Sequence, residues 1–273
     1  MSTTSPAAAS RVSLDRRVPP LGGFTLTYLG IELKRRLRNR RTIFFTIAFP
    51  ILMYVLIGLP LRDQPLTDVP IVQGGLSVAA YIMVSMAMYG AMMSATQTGA
   101  AVAVERAQGW SRQLRLTPLN PLVNIIIKMI AGMVLGLLAV VATYVAGAVS
   151  GVQLTPVEWI VTGLVGWVLA SAVFTTLGLF VGYLMPSENA AQVTSLIVVF
   201  LSFLGGLFYP LNSMPDFMQT IATFTPVYGI SQLARSPLTG ESFDILWLVN
   251  ALVWLGIFIA GTTWAFRRDT KRV

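Results

Sequence analysis

Long apolar stretches alternate with short polar ones along most of this chain. Six of the stretches have the length that a bilayer demands: Ile43–Leu61, Leu76–Val104, Leu122–Ser150, Val157–Leu184, Asn189–Phe208 and Ile245–Phe266. A hydrocarbon layer of about 30 Å takes roughly 20 residues of helix to cross. Continuous helix is also the form that satisfies every backbone N–H and C=O inside one segment, where no water can do so. The second, third and fourth stretches exceed the minimum, which predicts tilt or extension beyond the bilayer. The pattern therefore predicts an all-α integral membrane protein with a six-span domain over residues 43–266 and a basic tail at 267–273.

Ahead of the first span the period changes. Leu26, Leu29, Leu33 and Leu37 recur every three or four residues, while Lys34, Arg35, Arg36, Arg38, Arg40 and Arg41 crowd the same turns. Residues 25–42 thus read as a basic amphipathic helix lying at a membrane surface. Residues 1–24, rich in Ser, Thr, Pro, Ala and Arg, read as a disordered tail. They are not a signal peptide, because the first long apolar run begins only at Ile43 and no small-residue cleavage site follows it.

Composition agrees with lipid as the solvent. The chain of 273 residues is 55% hydrophobic and 11% charged, with a mean hydropathy of +0.72, against roughly 25% charged residues in ordinary soluble domains. Cysteine and histidine are both absent, which excludes disulfides and removes the commonest general base and the commonest metal ligands. No catalytic residue and no metal site is expected. The net charge of +8 gains meaning from its placement: seventeen of the nineteen Lys and Arg fall on one side of a six-span topology, leaving only Arg62 and Arg235 on the other. The positive-inside rule then puts both termini in the cytoplasm of a multi-pass plasma-membrane protein, with Arg62–Val72 and Tyr209–Phe243 outside. Anionic lipid accounts for the basic charge, and no nucleic-acid partner is needed.

Two segments between spans stand out. The first, on the basic side, contains Glu105, Arg106, Gly109, Trp110, Arg112, Leu116, Thr117 and Pro118. Pro118 gives it a firm stop, and its charges suit either a docking surface for a soluble partner or an interfacial loop anchored by Trp110. The second follows the fifth span and contains Tyr209, Pro210, Met214, Pro215, Phe217, Ile221, Phe224 and Pro226. Phe217, Ile221 and Phe224 share one helical face, and the segment is too short to cross a bilayer, which predicts a re-entrant dip into the outer leaflet.

On these residues the chain resembles the membrane subunits of type-2 ABC exporters, especially the daunorubicin-resistance and multidrug permeases linked to antibiotic resistance. Their first cytoplasmic loop typically reads Glu-Arg-Glu-x-Gly-Thr-x-Glu-x-Leu-x-x-Thr-Pro, and Glu105, Arg106, Gly109, Leu114, Thr117 and Pro118 match it. Gly206, Tyr209, Pro210, Met214, Pro215, Ile221 and Pro226 match the family's outer re-entrant motif. The resemblance covers about residues 25–268. It implies half of a dimer, completed by a second permease chain that is identical or different, and driven by two copies of a cytoplasmic ATPase that bind ATP and Mg. Residues 105–118 would be the coupling helix seated in that ATPase. Ala107, Trp110 and Arg112 depart from the residues common at those positions and alter the charge offered to the partner.

The chain has no G-x-x-x-x-G-K-[ST] loop and no Gly-Lys pair at all, so a nucleotide bound in that way must belong to another chain. Glu158, Glu188, Asp216 and Asp244 fall at or beyond span ends, and buried ionisable groups of the kind that carry protons are not expected inside the spans. Met88 and Met92 in the second span, and Gln192, Ser195 and Ser202 in the fifth, are candidates for a substrate path, with helix packing as the alternative. The Gly132/Gly136, Gly147/Gly151 and Gly178/Gly182 pairs read as packing devices. The functional expectation is export of amphiphilic, drug- or lipid-like molecules without enzymatic activity in this chain. Export of a lipid-linked polysaccharide is the alternative within the class. An ATP-independent carrier and an intramembrane enzyme are the alternatives outside it.

Overall fold

The computed structural model describes residues 25–63, 78–109, 121–211, 214–240 and 242–270. The expected tail at 1–24, most of the first outer loop, positions 110–118 of the first polar segment and residues 271–273 lie outside them. The described chain is helical without strands. It comprises α1 (Leu26–Leu37), α2 (residues 40–61), α3 (Val78–Ala107), α4 (Pro121–Val149), α5 (Pro156–Leu184), α6 (Ser187–Leu204), α7 (Asp216–Thr223), α8 (Pro226–Thr239) and α9 (Ile245–Thr270). Six of these helices are long and apolar enough to cross a membrane, and they coincide with the six expected stretches.

Local chemistry sets several boundaries. The Thr25 hydroxyl accepts the Tyr28 N–H at the start of α1. Thr155 and Glu158 close a reciprocal capping box around Pro156 at the start of α5, each satisfying a donor that the first turn leaves free. Along α2, α-helical turns alternate with π-helical turns at Phe44–Ala48 and Tyr54–Gly58.

Helix α3 is the axis of the molecule. Of its most apolar window, 94% is buried inside the protein, against 22% for α2, α6 and α9. It packs most extensively on α5 and α4. Small residues make the α3–α5 crossing possible: a Cβ on Gly99 would lie 2.4 Å from the Leu179 backbone nitrogen, and one on Gly178 would lie 2.2 Å from the Thr96 carbonyl. The expected packing roles of Gly132, Gly136, Gly147, Gly178 and Gly182 hold, but that of Gly151 does not. It has φ +87° and no neighbour near its Cβ position, because it lies in the turn after α4.

After α6 the chain does not simply loop back. Two further helices, α7 and α8, follow with a two-residue turn between them, and α8 buries Val227, Ile230, Leu233, Ala234 and Leu238. The apolar pattern predicts no separate helix for this second stretch, since Ser231, Arg235 and Pro237 dilute it. Asn250 and Trp254 of α9 hold the turn between α7 and α8. Asn250 receives the Gly229 N–H at 3.3 Å and donates to the Thr223 carbonyl at 3.0 Å, and the Trp254 indole donates to the Phe224 carbonyl at 2.9 Å.

Candidate functional site

Where α1, α3 and α4 converge, five charged side chains form one network. Lys128 of α4 lies 2.6 Å from the Glu105 carboxylate and 3.8 Å from that of Glu32. Arg35 reaches Glu105 at 2.6 Å and Glu32 at 3.4 Å, and Arg36 reaches Glu32 at 3.0 Å. Lys128 is 1% exposed and Glu105 4% exposed. Arg36 also donates to the Gln97 and Thr98 carbonyls of α3. Burial alone would raise the Glu32 carboxyl, but Lys128, Arg36 and Arg35 outweigh it and hold the group below its ordinary value. Burial lowers the Arg36 guanidinium in turn, more than Glu32 restores it.

Lys128, 1% exposed within the third expected span, corrects the expectation that no buried ionisable group lies inside the spans. Its charge counts with those on the basic side of the topology, yet it is a buried residue of α4. Arg106 turns the other way, donating to the Gly182 and Tyr183 carbonyls at 3.1 and 2.8 Å at the C-terminal end of α5, where helix carbonyls favour a cation. Gly109 then ends the described segment with φ +70° and open space around its Cβ position. Glu105, Arg106 and Gly109 therefore come together as the root of the polar loop, and the two charges hold that root to α1, α4 and α5. Trp110, Arg112, Leu116, Thr117 and Pro118 lie outside the described residues.

At the other end of α3, an apolar cavity of about 500 Å³ lies among α2, α3, α6 and the start of the following loop. Phe49, Met53, Tyr81, Met86, Phe203 and Pro210 are among the residues lining it. None of the five candidate path residues does. Met88 and Met92 are packed in the core, Ser202 bonds back to the Val198 carbonyl, and Gln192 is exposed on α6. Ser195 accepts a 2.6 Å hydrogen bond from Gln97 of α3, which also donates to the Ala191 carbonyl at 3.1 Å.

In the outer segment, Tyr209 is exposed and Pro210 borders the cavity. The Met214 carbonyl accepts from Gln219, and Pro215 precedes the first turn of α7. Phe217, Ile221 and Phe224 point away from the protein, while Ala222 on the opposite face of α7 is fully buried. Pro226 starts α8 and is buried.

Beneath the cavity, Arg235 of α8 is 2% exposed. It donates to the Tyr81 hydroxyl at 2.6 Å, to Ser85 at 3.0 Å and twice to the Gly206 carbonyl at 3.1 Å. Its sequence position places it only among the charges on the outer side. Asn250, Gln97, Glu32 and Lys128 likewise carry no motif that singles them out. A polar residue interrupting an apolar run is the only local sign of such partners.

Residues 25–238 match the family described as ABC-2 type transporter. The chain is also 32% identical over 214 residues to the Bacillus subtilis (strain 168) protein named "Putative transport permease YvfS", a match covering 77% of this chain and 84% of that one.

Proposed function

The chain belongs to the ABC-2 type transporter family, and on that premise we propose that it is the membrane subunit of an ATP-driven exporter of amphiphilic, drug- or lipid-like molecules. ATP is hydrolysed in this reading by a separate cytoplasmic chain present in two copies, and a second permease chain completes the transporter. The loop rooted at Glu105, Arg106 and Gly109 meets the ATPase, and both termini are cytoplasmic.

The observation that supports the reading most is the charged network at the base of that loop. A force applied to the loop cannot remain local, because Glu105 is tied to α1 through Arg35 and to α4 through Lys128, and Arg106 is tied to α5. Glu105 thus acts as a positioning residue, transmitting movement rather than touching the partner. Transport follows if nucleotide-dependent closure of the partner favours one of two arrangements of the spans.

The test is co-purification and substrate-stimulated ATP hydrolysis of the whole transporter in proteoliposomes. Glu105→Ala and Gly109→Trp are expected to insert normally. Glu105→Ala lowers stimulated hydrolysis by about tenfold or more while retaining the ATPase, as loss of one member of a buried charged pair would produce. Gly109→Trp, which alters the loop itself, lowers retention of the ATPase. Wild-type hydrolysis and export by both variants, or export that survives without any ATPase, would overturn the assignment.

A further inference from the structure

We propose that Arg235 and the apolar cavity above it form a binding site for an acidic amphiphile, a molecule with a carboxylate, phosphate or sulfonate headgroup on an apolar body. The inference rests on the transport reading and narrows its substrate class.

Arginine stays protonated in proteins, so α8 carries a permanent positive charge into the protein interior. Among the described residues, no carboxylate lies within ion-pair distance of it. Its partners are neutral: two hydroxyls, one carbonyl, and the face of Tyr81, whose ring centroid is 4.2 Å from the guanidinium carbon. The Nε–H has no partner. Neutral donors would serve those hydrogen bonds as well, without the cost of a buried uncompensated charge. The charge itself is what the surrounding protein leaves unanswered.

Tyr81 and Leu207 connect this cation to the cavity. Both line it; Tyr81 holds the guanidinium through its hydroxyl and ring, and Leu207 follows the Gly206 carbonyl that the guanidinium grips. One rotation of the Tyr81 side chain brings a headgroup at the cavity floor to the guanidinium, whose planar fork suits bidentate contact with an oxyanion. The apolar tail then occupies the space between Phe49, Met86 and Phe203.

The probes are a dansyl-labelled medium-chain fatty acid and its primary amide, titrated by fluorescence into the full chain in phosphatidylcholine nanodiscs. The wild type is expected to prefer the acid by roughly tenfold or more, the margin of a charge-assisted over a neutral hydrogen bond. Arg235→Gln loses that preference and still binds the amide, and Arg235→Lys retains it. Val199→Trp, which leaves Arg235 untouched and fills the cavity from α6, weakens both probes by about tenfold or more. Equal affinity of the wild type for acid and amide overturns the proposal, as does an acid preference that survives Arg235→Gln. If Arg235→Gln fails to fold, undiminished acid binding by Val199→Trp overturns it instead. Repetition with phosphatidylglycerol identifies the occupant: suppressed probe binding marks a resident anionic lipid, and unchanged binding marks a free amphiphile. Binding of this kind is independent of any ATPase, so its failure leaves the coupling test standing.

Discussion

Glu32, Arg35, Arg36, Glu105 and Lys128 show why isolated charges do not describe this protein. Each carboxylate has at least two cationic partners, which is the condition under which buried ions are tolerated. The folded Glu32 carboxyl lies below its ordinary value of 4.5. Its contribution is therefore complete above about pH 4.5 and is lost as pH falls through the depressed value. Glu32→Gln is expected to destabilise the detergent-solubilised protein by about 1–3 kcal/mol at neutral pH. The difference from wild type should shrink on acidification below about pH 4.5. Thermal unfolding followed by tryptophan fluorescence reads both effects, and a gap that is constant with pH would show that ionised Glu32 contributes nothing.

At the scale of elements, α3 and α7 show opposite solutions to the same solvent. Helix α3 buries nearly all of its apolar length, so its small residues serve neighbouring helices and its methionines fill the spaces between them. Helix α7 has an inward face at Ala222 and an outward stripe of Phe217, Ile221 and Phe224, the last 72% exposed. An apolar stripe turned away from the protein fits lipid as its neighbour. Ile221→Asp is expected to impair assembly or export, since a carboxylate at full membrane depth costs up to about 3 kcal/mol. The ATPase contact should remain intact, because α7 lies beyond the opposite end of α3 from Glu105. Normal expression and full export by this variant would place the stripe in water.

For the whole molecule, the charge asymmetry predicts an orientation with both termini in the cytoplasm. Impermeant thiol labelling of single cysteines in this Cys-free chain checks it in intact cells: Thr67→Cys should react, and Ser10→Cys and Thr270→Cys should react only after permeabilisation. The reverse pattern would invert the topology and put the Glu105 loop out of reach of any cytoplasmic ATPase. With the expected orientation, the two polar centres lie at opposite ends of α3: the Glu105 network where a partner can push, and Arg235 beneath the outer cavity. A helix buried along most of its length between them is suited to link the two.

The number of spans and the helical class were legible in the chain itself, as was a helix ahead of the first span. Each depends on local physics: about 20 apolar residues to cross a bilayer, a period near 3.6 for a surface helix, and prolines that halt helices. Family membership was legible because its motifs are short and contiguous. What only the tertiary structure decided was which polar groups meet. Glu105 finds Arg35 across 70 residues and Arg235 finds Tyr81 across 154, and no local period encodes such distances. For the same reason Met88 and Met92, which share a helix with cavity-lining Met86, face the core instead. On a helix surrounded by others, the neighbours determine what each face means.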